Sequence, residues 1–220
     1  MKIDVVCSGQ SHPVWSRLEE WVEINQQEHE IQLVSTVNSL TGGELLFLIS
    51  CHEIVRSEVS EQYGAALVIH ASDLPEGRGW SPHIWQVLEG KKDIVVSLLE
   101  VAEEVDSGRI WKKLEFSLGG HELSHEIDQK LFDTELQLLD FAVSEYGTIV
   151  PVEQDSNAAT YYRKRTPAHS VVAPETTFAE QFDLLRVANP IRYPAYIDYR
   201  GYRYKIVLEK VASLSELDKA

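Results

Sequence analysis

The chain has 220 residues, 44% of them hydrophobic and 25% charged, with a net charge of −15. That length supports one sizeable core, and the composition excludes a disordered chain. The acidic balance disfavours a nucleic-acid partner, and no apolar run approaches the ~18 residues of a membrane span.

Ile3 to Cys7 is a β-branched run closed by Ser8-Gly9, which predicts a central first strand and a turn. The opening MKIDVVCSG lacks the apolar core and cleavage site of a signal peptide. Trp15 to Ile24 places Trp15, Leu18, Trp21, Val22 and Ile24 on one helical face. Ile31 to Val34 is a short strand, and Leu45 to Ile49 is wholly apolar, as expected of a strand covered on both sides. Glu53 to Tyr63 is expected as a helix, and Ala65 to Ile69 as another buried strand. Cys7 and Cys51 both sit in apolar runs, which reads as reduced thiols and a cytoplasmic setting.

After a loop beginning at His70, Pro82 to Leu88 predicts a helix with proline in its first turn. Ile94 to Leu99 is a strand, and Ile110 to Phe116 is expected to pair antiparallel with a neighbour. His121 to Tyr146 carries Leu123, Ile127, Leu131, Leu138, Phe141 and Ala142 at helical spacing. Its Glu- and Asp-rich side reads as a solvated face. Residues 151–177 are polar and weakly periodic. Phe178 to Val187 is a short helix, and Ala195 to Tyr199 with Tyr202 to Leu208 form a hairpin through Arg200-Gly201. The alternation predicts an α/β fold: a doubly wound, mostly parallel sheet of about residues 1–150, with a loop-and-hairpin extension over about 151–220.

Ligands of open α/β sheets bind beyond the carboxyl ends of the strands. His70 stands at such an end, before a loop stiffened by Pro75 and freed at Gly77 and Gly79. Asp106 lies beyond another strand, and a carboxylate facing a histidine fixes its tautomer and raises its basicity. The segment Tyr161-Tyr162-Arg163-Lys164-Arg165 offers two rings for stacking on a base and guanidinium groups for a phosphate.

The segments His70–Pro82 and Val105-Asp106-Ser107-Gly108-Arg109-Ile110 resemble the formyl-tetrahydrofolate-dependent formyltransferases. Phe47–Cys51, Arg78–Pro82, Tyr162–Pro167, Glu180–Arg186 and Arg192–Ala195 bring the likeness closest to the small bacterial sugar-nucleotide N-formyltransferases. The resemblance implies transfer of a formyl group from N10-formyltetrahydrofolate to the amine of a nucleotide-linked amino sugar. His70 would steady the formyl oxygen or assist proton transfer, and Asp106 would orient His70. Backbone near Leu98, Leu99, Val101 and Val105, with Arg78 and Gly79, would hold the pterin. Ser50, Ser72, Trp80, Ser81, Tyr161, Tyr162, Arg163 and Arg165 would face the acceptor, Trp80 and Trp85 serving as wall and core. Homodimers are common among such proteins.

One position departs from the family. Where formyltransferases carry asparagine two residues before the histidine, this chain has Val68, which donates no hydrogen bond. Ser50 and Ser72 are the candidate replacements, and a catalytically degenerate binding protein is the alternative. A second alternative is a zinc hydrolase through His121-Glu122-Leu123-Ser124-His125, which matches H-E-x-x-H. On a helix its histidines would share one face, with Glu122 as base and Glu145 as the third-ligand candidate. Methionyl-tRNA is a weaker acceptor candidate for a short acidic chain.

Overall fold

The computed structural model describes residues 1–217. Its centre is a six-stranded sheet built from β1 (Lys2–Val6), β2 (Glu30–Val34), β3 (Gly43–Leu48), β4 (Tyr63–His70), β6 (Asp93–Glu100) and β7 (Ile110–Ser117), while β5 (Arg78–Gly79) lies outside it. The order is β2-β1-β3-β4-β6-β7. Neighbours among β1 to β4 run parallel, and the β4–β6 and β6–β7 pairs are antiparallel.

The apolar runs explain the layers. Alternate side chains of a strand point to opposite faces. Cys7, Leu45, Phe47, Ile49, Leu67 and Ile69 therefore share one face, and Val6, Leu46, Leu48 and Ala66 the other. The first face is covered by α1 (Trp15–Asn25) and, further along the chain, by the 22-residue helix Ser124–Glu145. Trp21 Nε1 donates to Asp140 at 2.7 Å and Arg17 to Asp133 at 2.6 Å, pinning the two helices together. The second face is covered by Val37, Leu40, Val55 and the single turn α2 (Ser57–Ser60). α3 (Pro82–Leu88) follows the His70 loop, and the long helix is α4.

Two predicted helices differ from those observed. The expected helix from Glu53 to Tyr63 shrinks to α2. Glu53 instead accepts from Thr36 Oγ1 and Val37 N, both at 3.2 Å, and Val55 is drawn into the core. The long helix starts at Ser124, not His121. Gly120 turns the chain at φ 92°, and Glu122 accepts from the N–H groups of Gly119 and Gly120 at 2.9 and 3.0 Å. His121 and Glu122 therefore precede the helix, and Glu122 is tied to Lys130 at 3.0 Å. The zinc reading loses its geometry: its two histidines do not share a helix, and its base is held elsewhere.

Burial opposes the charge of Glu122, but the Gly119 N–H, its own backbone N–H and Lys130 outweigh it and bring the pKa down to about 2. A depressed carboxylate adds stability above its unfolded value and loses it as pH falls through the folded one. Denaturant unfolding is expected to show this contribution fading between about pH 4.5 and 2, with Glu122→Gln flattening that slope. At pH 7 the variant is expected to lose about 1–3 kcal/mol.

Beyond α4 the chain returns to the core. Val152 pairs with Ile110, and β8 (Tyr161–Tyr162) lies parallel to β5. A small sheet follows, of β9 (Val171–Val172), β10 (Ala195–Tyr199) and β11 (Tyr202–Ile206), packed on α5 (Phe178–Arg186). The β10–β11 turn uses Arg200 at φ 50° and Gly201 at φ 83°, two left-handed residues as a tight hairpin requires. The strand order reverses at β1, so the carboxyl ends of β1, β3 and β4 border the crevice where such sheets bind ligands.

Candidate active site

His70 ends β4 and is only 8% exposed. Its Nε2 lies 2.9 Å from the carbonyl oxygen of Gly77, and its Nδ1 lies 3.5 Å from Asp106 Oδ1. Both ring nitrogens thus face acceptors, an arrangement that a protonated ring satisfies at both ends. The ring is held between the Gly77 carbonyl of the loop that follows β4 and the Asp106 carboxylate of the β6–β7 loop.

The second carboxylate oxygen, Asp106 Oδ2, accepts the Gly79 N–H at 2.9 Å. Asp106 itself is in the left-handed region at φ 58°, which turns its side chain into the site. Gly77 and Gly79 have φ of 76° and 97°, and a Cβ at either would strike Tyr162. Glycine at these two positions is a requirement of the geometry, because β8 runs directly against the loop.

The loop is latched by residues far along the chain. Thr160 Oγ1 accepts the Gly77 N–H at 2.8 Å, and the Thr160 carbonyl accepts the Arg78 N–H at 2.9 Å. Gln154 donates to the carbonyls of Asp106 and Gly108 at 2.9 and 2.7 Å, while its own oxygen accepts from Arg78 at 2.9 Å. Arg78 is 1% exposed, donates to Tyr161 Oη at 3.2 Å and lies 3.6 Å from Glu104. Its guanidinium therefore ties the His70 loop to the Asp106 loop and is not free to hold a pterin. Gln154 and Thr160 carry no local sequence signal, since each is one polar residue in a weakly patterned segment.

The structure sorts the remaining candidates. Leu98 and Leu99 are fully buried ladder residues, facing Ile69 and Val68 across β4, so they form floor rather than wall. A bulge between them adjusts the strand just before the loop. The apolar surface left open there is half-buried Val101 and 62%-exposed Val105. Those side chains, with the half-buried Val68, fit the flat ring of a folate, which would take apolar surface out of water. Ser72 is buried, with an Oγ that has no partner, and its carbonyl accepts from Ser97; it is sealed away from any acceptor. Ser50, at φ 47°, is half-buried beyond β3.

In the basic segment, Tyr162 cannot serve as an open platform for a base. It stacks on Trp85 at 6.2 Å with rings 10° apart, and its hydroxyl donates to Glu89 at 2.7 Å. Tyr161 is 60% exposed, with Arg78 over its ring. Arg163 lies over Trp85, and Lys164 covers Trp80 at 4.1 Å; Trp80 and Ser81 are exposed. Arg165 is half-buried, donates to the His169 carbonyl and Ser170 Oγ at 3.3 Å, and keeps a buried Nε without a partner. Burial lowers its pKa. Arg163 and Lys164 thus present free positive charge beside Trp80, and Arg165 has one donor to spare.

Residues 3–143 match the family described as formyl transferase. Methionyl-tRNA formyltransferase of Bacillus subtilis (strain 168) is 30% identical over 191 residues, covering 84% of this chain and 59% of that protein. The chain spans about half the length of the curated relatives it matches. Among solved structures, methionyl-tRNA formyltransferase from Clostridium thermocellum superposes with a TM-score of 0.79 at 20% identity, covering 96% of this chain and 94% of that one. A sugar N-formyltransferase from Shewanella sp FDAARGOS_354 superposes with a TM-score of 0.73 at 18% identity, covering 97% and 99%. With the match reaching from β1 through most of α4, and with His70 and Asp106 brought together inside it, the chain belongs to the formyl transferase family.

Proposed function

We propose that this protein transfers a formyl group from N10-formyltetrahydrofolate to the amine of a nucleotide-linked amino sugar. The observation that carries the reading is the His70–Asp106 pair, clamped by Gly77 and Gly79 at the carboxyl end of β4. The family's formyl donor is formyl-tetrahydrofolate, and when bound it supplies an electrophilic formyl carbon. Around it the side chains have definite tasks. The Nε2 side of the His70 ring donates to the formyl oxygen when that oxygen takes the place of the Gly77 carbonyl, and Asp106 holds the ring from its Nδ1 side. Asp106 also fixes the ring's orientation, and the same carboxylate can take up a proton from the attacking amine. Val101 and Val105 exclude water from one side.

The sugar part of the reading is supported by the compact basic segment beside Trp80; sugar N-formyltransferases stand among the structures that share the fold end to end, as does a methionyl-tRNA formyltransferase. A diphosphate needs only two or three such cations. Arg163→Ala with Arg165→Ala is expected to raise KM for the nucleotide sugar about tenfold or more, since each charged hydrogen bond is worth about 1.5–3 kcal/mol, with little change in kcat. Steady-state kinetics against a fixed folate concentration measures this, and an unchanged KM would place the phosphate elsewhere.

Methionyl-tRNA is the second acceptor to test, because the matched relatives include methionyl-tRNA formyltransferases. The net charge of −15 opposes it. A panel of UDP-, dTDP- and GDP-linked amino sugars, run beside methionyl-tRNA with formyl-tetrahydrofolate, separates the two by mass. A formyl adduct on tRNA alone would overturn the sugar reading.

A further inference from the structure

The face of α4 that turns toward β1 carries two acids. Glu135 is only 6% exposed, and its buried Oε2 has no hydrogen-bond partner. Asp128 lies seven residues earlier, two helical turns and therefore on the same face. Native proteins seldom leave a buried carboxyl oxygen without a donor, and a group left so is a candidate to be completed by a ligand. These acids were expected to belong to the solvated side of the helix, and the structure places Glu135 inside.

Their surroundings locate them beside the crevice at the strand-order reversal. Cys7, at the carboxyl end of β1, has its thiol pushed up to about 12 by burial and by the charge of Glu135. Phe132, between the two acids on the helix, meets the ring of His12 edge-on at 6.1 Å. Burial together with the charges of His70, Arg165 and His12 holds His83 of α3 down at about 4. Burial raises Glu135 to about 8, with Asp128 adding to it, and raises Asp128 to about 6 against the pull of Arg192 and His125.

By strand alternation Cys7 shares its face with Ile69, whereas Val68 and Val101 belong to the opposite face. The two acids are therefore on the other side of the sheet from the apolar surface suited to a folate. We propose that Asp128 and Glu135 form the subsite that grips the sugar ring of the acceptor through its hydroxyl hydrogens. This rests on the sugar reading above. Carboxyl oxygens accept hydrogen bonds from such groups and offer a phosphate no cationic donor, which leaves the phosphates to the Arg163–Arg165 segment. Among the described residues no grouping of three His, Cys, Asp or Glu side chains suits a metal ion, so the hydrogen-rich ring is the better occupant.

The test uses the full chain with Glu135→Gln and Asp128→Asn, which keep volume and exchange one carboxyl oxygen for an amide donor. Calorimetric titration with UDP- and dTDP-linked amino sugars is expected to show binding at least tenfold weaker in Glu135→Gln, while tetrahydrofolate binding changes less than twofold. Thermal unfolding of Glu135→Gln is expected at an unchanged or higher temperature, because an unpartnered buried acid has been removed; a residue of purely structural value would do the reverse. Matched UDP- and dTDP-sugars bearing hydroxyl in place of the amine separate the two chemistries. An equal loss in both supports the grip on the hydroxyls, and a loss confined to amino sugars places the acids at the amine and overturns it. Unchanged sugar affinity in both variants overturns the subsite. Wild-type protein that binds none of these sugars overturns the sugar reading itself, and the subsite with it.

Discussion

His70→Ala is expected to lower formyl transfer by about 10³-fold or more while leaving the fold intact. The imidazole sits between the Gly77 carbonyl and Asp106, and it is asked both to steady the developing oxyanion and to position a proton. Each of those tasks is worth about 10²–10³ in rate. The loop itself is latched mainly by Thr160, Gln154 and Arg78, so loss of the imidazole leaves it tied. Asp106→Asn is expected to retain the accepted Gly79 N–H through its amide oxygen and still lose at least about 10²-fold, since charge rather than shape is removed. Single-turnover formyl transfer, read by mass, with thermal unfolding as the folding control, measures both. Wild-type rates in His70→Ala would remove the assignment.

Val68→Asn is expected to act in the opposite direction, raising kcat by about 10²-fold. Val68 sits two residues before His70 on β4, and side chains at that spacing point to the same face about 7 Å apart along the strand. An asparagine amide there would place a neutral donor beside the imidazole, and one such donor is worth about 10²–10³ in rate. The substitution also withdraws a partly buried apolar group from the cluster around Val55 and Ala66. A stability loss of about 1–2 kcal/mol is expected alongside the gain in rate. An unchanged rate would mean that a donor elsewhere already fills the position; Ser72, sealed under the loop, is poorly placed to be that donor.

How much of this was visible in the sequence follows from where the determinants lie. The strands from Ile3, Leu45 and Ala65 were legible because burial on both faces demands unbroken apolar runs. Arg200-Gly201 announced its hairpin because only a few residue types accept two left-handed conformations. The His70–Asp106 pairing was legible from two strand ends and from the family resemblance. The start of α4 was not, because His121 to Leu123 continue the helical pattern while Glu122 uses its carboxylate to turn the chain at Gly119-Gly120. The helix expected at Glu53 failed for a similar reason: a side chain committed to Thr36 and Val37 overrode local propensity. Glu135 was indistinguishable from its solvated neighbours, since an acid on the inner stripe of a helix looks the same in sequence as one on the outer. The latch from Gln154 and Thr160 depends on contacts across tens of residues, which leave no trace in local pattern.

That latch has a consequence for how the protein comes into being. The β5–β8 pairing joins Arg78 to Tyr161 and Gly79 to Tyr162, bridging residues 83 apart in sequence. The sheet and α4 can be synthesised and packed before residues 154–162 leave the ribosome, yet the His70 loop has no partner for Gly77 until they do. A nascent chain therefore acquires its core first and its chemistry last. Closure across so long a separation is entropically the late step. A growing polypeptide bearing this sequence stays inert toward formyl donors until residues 154–162 have emerged and docked.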